Sequence, residues 1–391
     1  MNFQNAHLPQ GFVGLHANVG LKNGDDDCLL VASTVPAQSA AVFTQSRFAG
    51  PSVLISKQSL AKNQPFQGLV VLSKNANVAT GPEGLQHAQE LQRLAAEVLH
   101  LPTDSVLVAS TGVIGRQYPM DEIRASFARF PKQLGSLKSE QAARAMMTTD
   151  TRPKVATGRC GGSVIVGIAK GVGMIEPNMA TLLVFFFTDA ALEQAQLKDS
   201  FSRVVDRTFN AMSIDTDQST SDTAAIFANG LAGPVDQNQF DACLYDCALD
   251  LVKQIVRDGE GGTKTIIVNV SGARDDKQAR LVAKSVINSP LVKTAVHGSD
   301  PNWGRVVMAI GKLDTELDIT AETTTVAFGT QEVYPPTAVS IQPAELARLK
   351  QYLQQNEVEI NISLCIGDGR FTAYGCDLSE GYIRINSDYT S

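Results

Sequence analysis

Apolar and polar positions alternate along this chain in two distinct rhythms. Short runs rich in Val, Ile or Phe, flanked by turn residues, predict buried strands. They are LVVL (69–72), SVLVAS (105–110), SVIVGIA (163–169), TLLVFFF (181–187), TIIVNV (265–270), VVMAI (306–310) and VEINISL (358–364). Between them lie stripes with a period near 3.6, the mark of helices packing one face on a core. Residues 83–100 repeat Leu and Val at that spacing. Leu197, Phe201, Val205, Phe209 and Met212 share one face of a helix over 197–212. Phe240, Leu244, Cys247, Leu251 and Ile255 share one face over 239–257. Mixed strands and helices predict a layered α/β or α+β fold. No internal repeat or low-complexity tract interrupts it. The Gly-rich stretch DGEGGTK (258–264) suggests a boundary between a large N-terminal unit, 1–262, and a smaller C-terminal α/β unit, 263–391. VYPPTA (333–338) is a softer one.

Length and composition narrow the picture. At 391 residues there is room for roughly two to three domains of about 150 residues each. With 43% apolar and 19% charged residues the chain can bury sizeable cores, which argues against disorder. Its net charge is −7 and it has no Lys/Arg-rich run, so no nucleic-acid partner is expected. The longest strongly apolar run, Leu182–Phe187, is far short of the roughly 18 residues of a membrane span. No basic stretch and apolar core mark a signal peptide at the start, so a cytoplasmic protein is expected. Six cysteines are spread too thinly for a disulfide scaffold. Cys243 and Cys247, one helical turn apart, read as small core residues rather than a metal or redox pair, because no second Cys/His pair accompanies them.

One candidate for chemistry is KGVGMIEPNMATLLVFFFTDA (170–190), where Ala180 precedes Thr181 at the mouth of the most apolar strand. A threonine hydroxyl becomes an effective nucleophile when its own α-amine is freed to act as the base. An α-amine titrates near 8, close enough to neutrality for that task. Cleavage between Ala180 and Thr181, by attack of Thr181 on the Ala180 carbonyl, would free it. Taken alone, a threonine opening a buried strand is more often just that. Acyl transfer also needs donors for a developing oxyanion. VLVASTGVIG (106–115) runs from a strand into Ser110-Thr111-Gly112, where a hydroxyl and turn amides are available. An ordinary strand exit has the same composition. The polar run SIDTDQSTSDT (213–223) has the oxygens of a hard-cation site but lacks the Gly and closing Glu of a calcium loop; a buried hydrogen-bonded loop is the preferred reading. His297, in AVHGSDPNWGR, reads as structural or as a support behind the site, since the five histidines show no pairing pattern.

Seven segments in order then carry a resemblance. STGVIGRQYP, MMTTDTRPK, KGVGMIEPNMATLL, TFNAMSIDTDQSTSDT, DGEGGTK, VINSPLVKTAVHGSDPNWGR and YIRINSDYTS make the chain similar, over essentially its whole length, to the ornithine acetyltransferase (glutamate N-acetyltransferase) family. Val172, Glu176 and Leu183 depart from the usual family residues and resemble the subgroup associated with clavam-type gene clusters. The resemblance implies a multilayer α/β/β/α sandwich of the self-cleaving N-terminal-threonine type. The precursor would divide into chains 1–180 and 181–391 that stay together, in a heterotetramer or larger assembly. Thr181 would take acetyl from N2-acetyl-L-ornithine and pass it to L-glutamate by a ping-pong route. Thr111 and Gly112 match the oxyanion-hole positions; Thr149, Lys170, Thr181, Glu260, Asn386 and Ser391 match substrate contacts. Lys170 suits a substrate carboxylate and Glu260 an ornithine amine. Asn386 and Ser391 sit at a terminus and must be docked to serve. No cofactor or metal is implied, and acetyl-CoA is not expected as a donor. Two other readings remain: a self-cleaving amidohydrolase or aminopeptidase with the same nucleophile, acting on N-acyl amines or small peptides, and a non-catalytic binding protein on this fold.

Overall fold

The computed structural model describes residues 6–62, 64–176, 182–335 and 343–388. Strands β1 (Phe12–Ala17), β2 (Cys28–Ser33) and β3 (Gln38–Phe43) come first, then helix α1 (Pro51–Ala61), β4 (Gly68–Leu72), α2 (Gly81–Leu99), β5 (Val106–Ser110), α3 (Met120–Phe127) and α4 (Ser139–Met146). Next are β6 (Lys154–Cys160), β7 (Ser163–Lys170), β8 (Leu183–Ala191), α5 (Gln194–Arg207), the short β9 (Met212–Ser213), β10 (Thr223–Pro234) and α6 (Gln237–Arg257). The remainder is β11 (Thr265–Ala273), α7 (Asp276–Ile287), α8 (Pro290–His297), α9 (Trp303–Gly311), β12 (Thr325–Phe328), β13 (Gln331–Tyr334), α10 (Pro343–Leu353), β14 (Glu357–Ser363), β15 (Gly369–Cys376) and α11 (Glu380–Asp388).

The chain divides into two compact units. The first holds residues 1–210, 218–255 and 390–391; the second holds 211–217 and 256–389. The division thus falls at Val256 rather than after residue 262. It also assigns Ala211–Asp217 to the second unit, because β9 pairs there with β15 through Met212↔Tyr374 and Ser213↔Gly375. The soft boundary suggested by VYPPTA falls inside the second unit, where β13 runs to Tyr334.

The first unit is an α/β/β/α sandwich, and the reason lies in strand alternation. One sheet has the order β1-β2-β4-β5 and the other β3-β10-β8-β7-β6. Successive side chains of a strand point to opposite faces. Leu69, Val71, Leu107 and Ala109 therefore meet Val166, Ile168, Phe185, Phe187 and Phe227 of the other sheet in one core. Phe187 stacks on Phe227 at 5.5 Å and meets the edge of Phe12 at 5.2 Å. Their neighbours Val70, Leu72, Val106 and Val108 point outward under Leu91 and Ala95 of α2 and Ile123 of α3. On the far side Phe186 packs on Phe201 of α5 and on Phe209, each at 6.2 Å. Both faces of β4 and β5 are buried, hence continuous apolar runs rather than alternation. Each such large side chain contributes about 1.5–3 kcal/mol by leaving water.

In the second unit the sheet order is β13-β12-β14-β11-β15-β9. Ile266, Val268, Val358 and Ile360 pack under α7, α9 and α10 through Val282, Val286, Val306, Ile310 and Leu353.

Two predicted elements differ from the structure. VVMAI (306–310) lies in helix α9, not a strand. Asn302 caps that helix by accepting from Arg305 N at 3.2 Å, and the apolar run spans one turn with Val306, Ala309 and Ile310 inward and Met308 42% exposed. A four- or five-residue apolar run cannot reveal its period. The helix expected over 197–212 ends at Arg207, since Thr208 leaves helical geometry (φ −122°, ψ −82°) and Met212 enters β9.

Candidate active site

Four parts of the first unit meet at the carboxyl ends of β4 and β5. These parallel strands finish in register, Leu72 beside Ser110. Beyond them Thr111 N donates to Leu72 O at 3.0 Å and Val113 N to Lys74 O at 3.2 Å. Gly112, at φ +130°, passes so close to Lys74 that an added Cβ would lie 2.1 Å from the Lys74 carbonyl carbon. Only glycine fits there. Lys74 is itself left-handed, at φ +75°. Among the described residues neither the Gly112 N–H nor the Thr111 hydroxyl meets an acceptor, and both residues are half-buried.

The Lys74 side chain reaches from this floor to donate to Thr148 O. Thr148 N in turn donates to Asp150 Oδ2 at 3.0 Å, so half-buried Thr149 sits in a turn fastened at both sides. The other carboxylate oxygen, Asp150 Oδ1, accepts from Lys154 Nζ at 2.7 Å and from Gly171 N at 2.7 Å. The Lys154 and Asp150 side chains are both fully buried. Burial alone would raise the Asp150 carboxyl, but Lys170, Lys154 and the Gly171 N–H override it and hold the group well below the usual carboxylate range. Lys170 closes β7 and is itself buried. The ammonium of Lys74 is held below its ordinary range by burial and then by Lys22 and Lys170. Burial also lowers Lys22, which donates to Asp26 O at 3.0 Å.

Gly112, Lys74, Thr148–Thr149, Asp150 and Lys170 thus form one continuous network. Of the residues singled out in the sequence, Thr111, Gly112, Thr149 and Lys170 belong to it. Lys74, Asp150 and Lys154 were missed, although Asp150 stands four residues before Lys154 inside a quoted segment. Ala180, Thr181 and Ser391 lie outside the described residues.

A second cluster forms within the second unit. Glu260 occupies the turn after α6, where Gly261 (φ +68°) packs against the start of α11; a Cβ there would lie 2.1 Å from Tyr382 N. Asn386 Nδ2 donates to Glu260 Oε2 at 3.0 Å and to Tyr382 O at 3.1 Å. The Tyr382 hydroxyl donates to Asp215 Oδ2 at 3.5 Å. Burial, then Asp215, Asp217 and Glu260, push the Tyr382 phenol up. Glu260 and Asn386, the two sequence-predicted contacts described here, are therefore partners.

The remaining candidates resolve as follows. Among the described residues no group of His, Cys, Asp and Glu is placed to hold a metal. The 213–223 loop is buried at both ends, but Thr216–Gln218 are exposed, which corrects the expectation of a buried loop. His297 Nδ1 pairs with Asp377 Oδ2 at 2.7 Å, and buried Asp377 also accepts from Thr263 N at 2.7 Å and Lys264 N at 2.8 Å. Cys247 is buried and Cys243 half-buried, their sulfurs flanking Gly158. Among the described residues no helix is long and apolar enough to cross a membrane.

Free donors where parallel β4 and β5 end, and buried lysines on antiparallel β6 and β7, put the polar apparatus of this layered α/β sandwich at strand termini. The chain belongs to the ArgJ family, whose match spans residues 14–391. It is 56% identical over 386 residues, 98% of either chain, to glutamate N-acetyltransferase Oat2 of Streptomyces clavuligerus. It is 52% identical over 387 residues, 99% of this chain and 95% of the relative, to the arginine biosynthesis bifunctional protein ArgJ of Rhodococcoides fascians. A protein named arginine biosynthesis bifunctional protein ArgJ 2, from Nostoc sp., is 49% identical over the full length of both chains.

Proposed function

We propose that this chain is a glutamate N-acetyltransferase that moves acetyl from N2-acetyl-L-ornithine to L-glutamate. The observation that carries the reading is the pair of free donors at Thr111 and Gly112, joined through Lys74 and Asp150 to buried Lys170, in a chain 56% identical to Oat2.

In this reading the precursor cuts itself before Thr181, and the freed α-amine becomes the base. The Thr181 hydroxyl attacks the acetyl carbonyl of N-acetylornithine, and the amine takes its proton. The Thr111 hydroxyl and Gly112 N–H bind the oxyanion. The C–N bond breaks, ornithine leaves with the proton, and an acetyl ester remains on Thr181. The glutamate amine then attacks that ester, the C–O bond breaks, and the hydroxyl is restored. One amide replaces another, so the exchange is near thermoneutral and needs no nucleotide and no metal. Lys170 holds a substrate carboxylate, and Thr149 contributes a further polar contact. Glu260 with Asn386 meets the ornithine amine, and Ser391 is a further substrate contact. The two chains stay together in a heterotetramer or larger cytoplasmic assembly, and acetyl-CoA is not a donor.

The test is isotopic. Labelled glutamate mixed with N-acetylornithine yields labelled N-acetylglutamate with the native protein and none with Thr181→Ala, which also remains one uncut chain. Release of acetate without N-acetylglutamate would replace this reading with the hydrolase. Equal formation of labelled N-acetylglutamate with acetyl-CoA in place of N-acetylornithine would overturn the donor assignment.

A further inference from the structure

Asp150 is a buried carboxylate of the candidate site, and no role in the proposed reaction uses it. Its two oxygens collect three hydrogen bonds from three separate pieces of chain: Thr148 N at 3.0 Å, Lys154 Nζ at 2.7 Å and Gly171 N at 2.7 Å. Lys170 adds a second ammonium beside it. These partners belong to the turn that carries Thr149, the start of β6, and the end of β7. The antiparallel pairing of β6 with β7 sets Lys154 opposite Ala169, one residue before Lys170, so Asp150 lies where the start of β6 meets the end of β7.

We infer that Asp150 is the positioning residue of the site: it ties the Gly171 amide, next to Lys170, and the Thr148–Thr149 turn into one geometry, so that Lys170 and Thr149 are preset to receive a substrate carboxylate. A buried ion pair contributes little net stability compared with apolar replacements, but leaving one partner alone is strongly destabilising. A group retained at that cost, linking two candidate substrate contacts, fits a role in orientation. A flexible lysine otherwise loses rotamer freedom each time it binds its ligand, and holding it beforehand removes that cost from binding.

This inference rests on the acetyl-transfer reading, and the test keeps the two apart. The pair is replaced together, Asp150→Asn with Lys154→Met, so that the local net charge is unchanged and neither half of the buried pair is left alone. Cleavage is read on a denaturing gel, folding by thermal melting, and transfer by steady-state kinetics in both substrates. With the native protein active, the double variant is expected to melt within a few degrees of it. Its KM should rise at least tenfold for both N-acetylornithine and glutamate, with kcat within threefold. A folded variant that stays uncut supports the same dependence acting through Gly171. A cleaved, folded variant with native or lower KM overturns the inference, because Asp150 would then supply only charge and stability. Should the double variant not fold, Asp150→Glu keeps the charge and shifts its position by one methylene; a raised KM supports positioning and a native KM overturns it. A native protein that makes no N-acetylglutamate would instead sink the proposed function.

Discussion

The two units build opposite kinds of polar site. In the first, Lys22, Lys74, Lys154 and Lys170 surround Asp150, and the Lys154–Asp150 pair is sealed from water. In the second, Glu260, Asp215 and Asp217 surround Tyr382, and the Asn386 that pairs with Glu260 is exposed. The buried cluster is locked by backbone amides and by strands whose register is fixed. The exposed one depends on side chains on a terminal helix that water can also solvate. The first suits a function shared by both substrates, since each carries a carboxylate. The second suits discrimination, since only the donor carries the extra amine. Rigidity follows burial here: breaking a buried pair costs about 3–5 kcal/mol, and an exposed contact about 1 kcal/mol or less.

The largest effect should come from the floor of the first cluster. Gly112→Ala places a Cβ on the Lys74 backbone at a left-handed residue. It should cost about 2–3 kcal/mol in urea unfolding and abolish transfer. A variant as stable and active as the native protein would show that Lys74 does not support the Gly112 turn.

The next effect compares the two clusters directly. Lys170→Met should raise KM for both substrates by about 10- to 100-fold, the value of a charge-assisted hydrogen bond. Glu260→Gln should raise KM for N-acetylornithine by about tenfold and leave glutamate nearly unaffected. Identical patterns in the two variants would erase the distinction between shared and selective contacts.

The smallest effect is an acid titration. Asp150 and Asp377 both lie below their ordinary range, Asp150 by far the more, so the stability each contributes is complete above pH about 4. It is lost as pH falls through the folded value. Burial opposes ionisation of Asp377, and the Thr263 hydroxyl, the Lys264 and Thr263 amides and His297 outweigh it. Hydrogen exchange should therefore find the Thr263 amide losing protection at higher pH than the Gly171 amide. The reverse order would mean the Lys cluster is not what holds Asp150.

Much of the frame was legible because long periodic segments declare themselves. The stripes of α2, α5 and α6 and the apolar runs of β4, β5, β7, β8, β11 and β14 were each read within a few residues. β1 to β3 and α1 were not, since LHANV and PSVLISK carry neither rhythm clearly. VVMAI failed because a short apolar run has no period of its own. Thr111 and Gly112 were suggested by a strand running into a glycine turn, a weak local signal, and were singled out with Lys170 by a resemblance spread over seven segments. Lys74 and Asp150 escaped because a lysine in SKNAN and an aspartate in TTDT read as solvated turn residues. Their burial comes from strands and turns far apart in sequence, which no local window contains.

The central claim is that Thr181 is a freed N-terminal nucleophile that carries acetyl. The measurement that reaches it most directly is a denaturing mass spectrum of the purified protein before and after brief exposure to N-acetylornithine without glutamate. The account predicts two chains parted between Ala180 and Thr181, the second one acetyl group heavier after exposure and restored by glutamate. A single uncut chain with no adduct would contradict it.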